Sequence, residues 1–119
     1  FAVASPARDI TDQVLADNTF NDPPPEGFRF VGVDVALAYS GTGSASGFDV
    51  NAKWVGGGNV QRAGFCGVVN GELDQFTDVF AGGSVTGTMC FVVPQQEVGA
   101  GVLYVTAGFD SEPVYFATV

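Results

Sequence analysis

Apolar and polar residues alternate with a period of two along much of this chain, the pattern of strands buried on one face. The clearest run spans 28–39, where Val31, Val33, Val35, Leu37 and Tyr39 share one side and Arg29 extends that side outward at its start. The opposite side carries Gly32, Asp34, Ala36 and Ala38, all small or polar, so the valine side is predicted to be core. A second alternation sets Phe48, Val50, Ala52 and Trp54 against Asp49, Asn51 and Lys53 and predicts a strand with Trp54 inside. Gly56-Gly57-Gly58-Asn59 then reads as a hairpin turn, with 60–66 as the returning strand. Across 84–93, Val85, Gly87, Met89, Phe91 and Val93 share one side, Thr86, Thr88, Cys90 and Val92 share the other, and Pro94 stops the run. Segments 102–107 and 114–119 are predicted to form a closing pair joined by 108–113.

Between these runs the pattern changes. Phe1 to Ala4 reads as a short strand broken by Pro6. In 9–16, Ile10, Val14 and Leu15 fall on one helical face, and Asp9 or Thr11 is placed to cap one or two helical turns. Asn21-Asp22-Pro23-Pro24-Pro25-Glu26-Gly27 is a stiff connector, because three prolines donate nothing to a sheet. Segments 40–47, 67–83 and 95–101 read as loops. Asn70-Gly71 marks a turn, and Leu73, Phe76, Val79 and Phe80 are predicted to pin the second of these loops onto the core. The total is about seven short strands, the number of an immunoglobulin-like sandwich.

Composition agrees with this class. The chain has 119 residues, which is one domain's worth, and 17 of them are glycine. A single all-β domain over 1–119 is therefore expected. Two cysteines, Cys66 and Cys90, are the even count that predicts one disulfide and an oxidising compartment. Two thiols without any histidine do not make a structural zinc site. The chain opens directly in an apolar run, which predicts a mature or trimmed product, and no run is long enough to cross a membrane.

Thirteen acidic residues against four basic ones give a net charge of −9. Such a surface repels nucleic acid and anionic lipid, and it favours solubility or a basic partner. Enzyme chemistry is poorly supplied. With no histidine there is no Ser-His or Cys-His pair and no imidazole base. Lys53 is the single lysine and falls on the polar side of its strand. The glycine runs lack the Lys-Ser/Thr of a phosphate loop. No catalytic residue, no metal and no cofactor is expected. Were calcium bound, its oxygen ligands would come from Asp9, Asp12, Asp17, Asp22 and Glu26, which crowd the N-terminal quarter without the D-x-[DN]-x-[DN]-G spacing of an EF-hand. The aromatic residues left off the valine side, Phe28 and Phe30, are the candidates for a contact surface, or else they pack beneath the proline connector.

Read in order, Asn21-Asp22-Pro23-Pro24-Pro25-Glu26-Gly27 running into Phe28-Arg29-Phe30-Val31-Gly32-Val33, then Phe80-Ala81-Gly82-Gly83-Ser84-Val85-Thr86-Gly87 leading to Cys90-Phe91-Val92-Val93-Pro94, and a close on Val114-Tyr115-Phe116-Ala117, make a pattern. It resembles the telokin-like, immunoglobulin-fold domains of unknown function found on secreted actinobacterial proteins and lipoproteins, to which the mycobacterial immunoprotective antigens look structurally related. The resemblance implies an immunoglobulin-like fold, a secreted or cell-surface setting and a Cys66–Cys90 bridge. It offers no catalytic motif, and the family's lipobox cysteine and Ser/Gly-rich tether are not present in these residues. Two functions follow as expectations: a non-enzymatic surface interaction domain for an unknown protein or surface ligand, or a structural subunit that self-associates through an open sheet edge.

Overall fold

The two longest alternating runs pair with each other, and everything else packs on that pair. In chain order the strands are β1 (Ala2–Val3), β2 (Arg8–Asp9), β3 (Phe28–Ala38), β4 (Ser44–Ala45), β5 (Val50–Val55), β6 (Gln61–Arg62), β7 (Val79–Phe80), β8 (Ser84–Pro94), β9 (Val102–Ala107) and β10 (Val114–Ala117). Helix α1 (Thr11–Asp17) lies between β2 and β3, and a 3-10 turn, Gln95–Glu97, follows β8. The computed structural model describes residues 1–40, 43–46, 50–62, 66–74, 76–107 and 114–118. Phe48, Phe65 and the predicted connection 108–113 lie outside the described residues.

β3 and β8 run antiparallel over their whole length, from Phe28 opposite Pro94 to Ala38 opposite Ser84. β1 and β2 both lie along the other edge of β3, at Val35–Ala36 and Val31–Gly32, so they are two pieces of one edge strand. Pro6 explains the break, since it has no N–H to give. At the gap, Ala7 N–H donates to Thr118 O beyond β10, so the edge reaches across to the second sheet. That sheet has the order β10-β9-β5-β6, antiparallel throughout. With the split edge counted as one strand, the two main sheets hold seven strands among the described residues, packed as an immunoglobulin-like sandwich. β4 and β7 form a separate two-stranded ribbon.

The main core lies between the sheets. Val31, Val33, Val35 and Leu37 from β3 meet Phe91 and Val93 from β8, Trp54 from β5, Leu73, and Leu103 and Val105 from β9. Trp54 is fully buried with its ring centre 6.4 Å from that of Phe91. The valine side predicted for β3 and the inner side predicted for Trp54 are both as read from the sequence.

A second core lies on the outer side of the first sheet. Ile10, just before α1, and Val14 of α1 pack with Phe30, Cys66 and Val69, and Leu15, Cys90 and Val92 close the cluster. After β6 the chain crosses to this outer side, is bonded there to β8 by the Cys66–Cys90 disulfide with Cα atoms 6.2 Å apart, and then runs along β8. There Thr88 N–H donates to Gly71 O at 2.8 Å and Leu73 N–H donates to Thr88 O at 3.0 Å. The centre of β3 is thus covered on both sides. Gly32 shows how closely: a Cβ there would sit 2.8 Å from Ile10 Cδ1. The structure is a sandwich with a partial third layer.

Several sequence expectations are corrected. The loop 40–47 contains β4 and the loop 67–83 contains β7, each too short for its alternation to be read. In the described part of 60–66, only Gln61–Arg62 is paired, and Cys66 lies in the outer core, bonded to Cys90. Leu73 and Val79 do bury, but Phe76 and Phe80 are exposed. In β7 consecutive side chains point to opposite sides, so Val79 goes in and Phe80 goes out. The N-cap position of α1 is Ile10, while Asp9 Oδ1 accepts the Thr11 N–H at 3.0 Å.

Two predictions follow. Val33→Asp or Val35→Asp is expected to abolish the cooperative thermal transition, because an unpaired buried carboxylate costs several kcal/mol, comparable to total stability. Asp34→Val, on the partly exposed side, is expected to cost only about 1 kcal/mol; equal damage at all three positions would show the register to be wrong. Denatured, unreduced protein is expected to show no reactive thiol. Reduction or Cys66→Ser/Cys90→Ser is expected to lower the free energy of unfolding by about 3 kcal/mol in a urea titration.

Candidate functional site

The stiff connector between α1 and β3 does not lie flat on the third layer. Between them runs a groove of about 460 Å³, lined by 18, 20–25, 30, 66–68 and 92. Among its lining, Phe30 and Cys66 are buried and Val92 is partly buried, and Pro23-Pro24-Pro25 borders them. Proline suits that wall, since a locked φ keeps the chain extended without needing sheet partners.

Asn21 holds the groove in shape. Its Nδ2 donates to Val14 O at the end of α1 (2.9 Å) and to Val68 O (2.7 Å), and its Oδ1 accepts Val68 N–H at 2.8 Å. One amide side chain therefore pairs with the crossing segment as a neighbouring backbone would, and ties the helix to both. The pairing requires Gly67, whose φ is +89° and where any Cβ would overlap Asn21 Oδ1. Asp17 Oδ2 accepts the Asn70 N–H at 3.3 Å and adds a second tie.

Phe20 stands on the lip. Its N–H donates to Asn18 Oδ1 at 2.9 Å, and Asn21 N–H donates to Asn18 O at 3.1 Å, so a turn stapled by an Asn side chain presents the ring. Phe20 is 92% exposed, and Val68 across the groove is 57% exposed. Scattered apolar residues on a surface are ordinary. These two border one apolar groove whose backbone is fixed, which is the composition of a recognition pocket. Asp22 is the one charged residue in the lining.

The residues singled out from the sequence fall differently. Phe30 is 3% exposed beneath Ile10 and Val14 and lines the groove only as a buried residue, so it is not an exposed contact residue. Phe28 is half-buried and does not line the groove. The covering helix is the reason for both. The acidic residues proposed as oxygen ligands are not brought together: among the described residues no three His, Cys, Asp or Glu cluster as a metal site. Asp9 instead accepts from Arg29 Nε at 2.7 Å and from the Thr11 hydroxyl at 2.7 Å, and Asp17 is turned to Asn70. Sequence reading passed over Phe20, Asn21 and Gly67. The signal available was an Asn-x-x-Asn spacing, Asn18 to Asn21, bracketing an aromatic residue just before the prolines.

Electrostatics elsewhere is structural. Partial burial pushes the Asp9 carboxyl up, but hydrogen bonds from Arg29 and Thr11, with the Arg29 charge, outweigh it and hold Asp9 below the usual 3.8. The Thr88 hydroxyl, donating at 2.7 Å, does the same for Asp34 against an opposing desolvation, with help from Arg8 at 3.1 Å. Arg62 and the buried Glu97 pair at 3.4 Å. No protein-family profile, curated protein or solved structure matches the chain.

A carboxyl whose folded value is depressed contributes stability that is complete above its unfolded value and is lost as pH falls through the folded value. Urea midpoints are therefore expected to be flat between pH 7 and 5 and to fall below about pH 4. Asp9→Asn and Asp34→Asn are each expected to flatten part of that fall; an unchanged acid slope in both would show that neither carboxylate is linked to folding.

Proposed function

We propose that this is a non-enzymatic, extracytoplasmic interaction domain that engages its partner through the groove beneath the proline connector. The observation that carries the reading is Phe20, an apolar ring 92% exposed on a turn whose backbone is pinned on both sides. Holding an aromatic side chain in water on a fixed turn stabilises nothing in the isolated chain, whereas rigid exposed aromatics are the usual anchors of interfaces. The non-enzymatic part rests on composition and on how the reactive groups are used. There is no histidine, both cysteines are in the disulfide, and Asp9 and Asp34 are engaged by Arg29, Arg8 and threonine hydroxyls.

The extracytoplasmic setting is supported by the disulfide, which persists where the surroundings are oxidising. No helix among the described residues is long and apolar enough to cross a membrane. The telokin-like resemblance belongs to the same proposal, since it implies a secreted or surface-attached protein. The second reading, a subunit that self-associates through a sheet edge, is favoured by edge strand β10, where Val114 and Tyr115 are exposed.

The test compares the chain with its Phe20→Ser variant, each immobilised and offered an extracellular fraction. The variant is expected to keep the parent's melting temperature, because the ring it loses is almost wholly in water. It is expected to lose whatever the parent retains. If both capture the same material, or neither captures any, and light scattering shows concentration-dependent assembly of the parent, the subunit reading replaces this one.

A further inference from the structure

Resting on the groove as the contact site, we infer that its occupant is a cationic segment of a partner protein, one that places an Arg or Lys against Phe20 and Asp22 and an adjoining apolar side chain in the groove. The argument is charge complementarity at a site with one charge. Asp22 is exposed, lines the groove, and forms no ion pair among the described residues. None of the chain's four lysines and arginines lines the groove. Arg8 pairs with Asp34, Arg29 with Asp9 and Arg62 with Glu97, while Lys53 is on β5 in the second sheet, away from this outer layer. Nothing in the lining answers an anion, and a net charge of −9 around it repels one.

Phe20 and Asp22 are two residues apart, both exposed and both lining the groove, and they are the two groups there that attract a cation. The face of an exposed aromatic ring attracts a guanidinium or ammonium within about 6 Å, and a neighbouring carboxylate supplies the charge-assisted hydrogen bond. Most of the remaining lining is apolar, three prolines, Phe30, Val92 and Val68, while the Asn18 and Asn21 amides beside them are hydrogen-bonded within the chain. It therefore takes a hydrophobic neighbour rather than a second charge. A free metal ion finds one carboxylate here and no cluster. A membrane of anionic lipid is repelled by the same charge that draws the basic segment.

The experiment is a selection of random seven-residue peptides displayed on phage, against the intact chain and in parallel against Phe20→Ser. Peptides that pair Arg or Lys with Leu, Met, Phe or Trp are expected to be enriched on the parent. Made synthetically, they are expected to bind about tenfold more weakly to Phe20→Ser and to Asp22→Asn, and to weaken by a similar factor when Arg is replaced by uncharged citrulline. Raising salt from 50 to 500 mM is expected to weaken the cationic peptides and leave the citrulline forms nearly unchanged. Enrichment of acidic or uncharged peptides that need Phe20 but ignore Asp22→Asn overturns the cationic occupant and leaves the groove as contact site. Peptides that bind Phe20→Ser as well as the parent overturn the groove itself, and absence of any enrichment overturns the cationic occupant.

Discussion

The pairing of β3 with β8 is the constraint on which the rest depends, because its ladder is buried from both sides. On the inner side Val31, Val33 and Val35 face the second sheet. On the outer side Phe30 lies under Ile10, Val14 and the Cys66–Val69 segment. A strand pair covered on both sides at its centre tolerates no slip of register: a shift by one residue would put Asp34 into the main core and the valines under the helix. The disulfide makes this layering durable. The outer core has few large side chains, too few to hold a seven-residue helix and a loop by burial alone, and Cys66–Cys90 bonds the loop to the middle of the strand that most needs cover.

That layering also makes the groove. A connector that left the helix and entered β3 directly would lie on the outer core and close over it. Three consecutive prolines hold it extended and leave it without N–H groups to pair with the layer beneath. Asn21 then spans the space with three hydrogen bonds that join connector, helix and crossing segment. The groove is thus a place where the fold is held apart by built contacts, with Cys66 of the disulfide in its lining.

How much of this was legible in the sequence depends on the length of the pattern. β3, β5 and β8 alternate over six residues or more, and the side they bury was readable from that alternation. β4 and β7 have two residues each, and no periodicity exists at that length. The outer core was half legible. Ile10, Val14 and Leu15 announced an amphipathic turn, but its target was hidden, because Phe30 and Val92 sit on the sides of β3 and β8 that otherwise carry small or polar residues. The candidate aromatic surface therefore fell on Phe28 and Phe30, with packing beneath the proline connector as the alternative; Phe30 is buried and lines the groove with the prolines, Phe28 is half-buried, and Phe20 passed unremarked among polar loop residues. A side chain's exposure at such a position is decided by what the chain folds across it from 47 residues away, as Val68 does for Asn21, and no local pattern records that.

The charge of the chain bears on why an exposed Phe20 is tolerable at all. A fixed apolar ring beside an open groove is a site for self-association as much as for recognition. Two copies of this chain approaching groove to groove would bring Asp22 against Asp22 within two net charges of −9, and that repulsion acts at the distance where apolar contact begins. A field of that sign attracts cationic groups. A surface with 13 acids and four bases thus discriminates by sign before any contact forms, and the aromatic lip discriminates by shape afterwards. The scattered acids, which in the sequence favour solubility or a basic partner, also oppose a groove-to-groove approach of two copies of the chain.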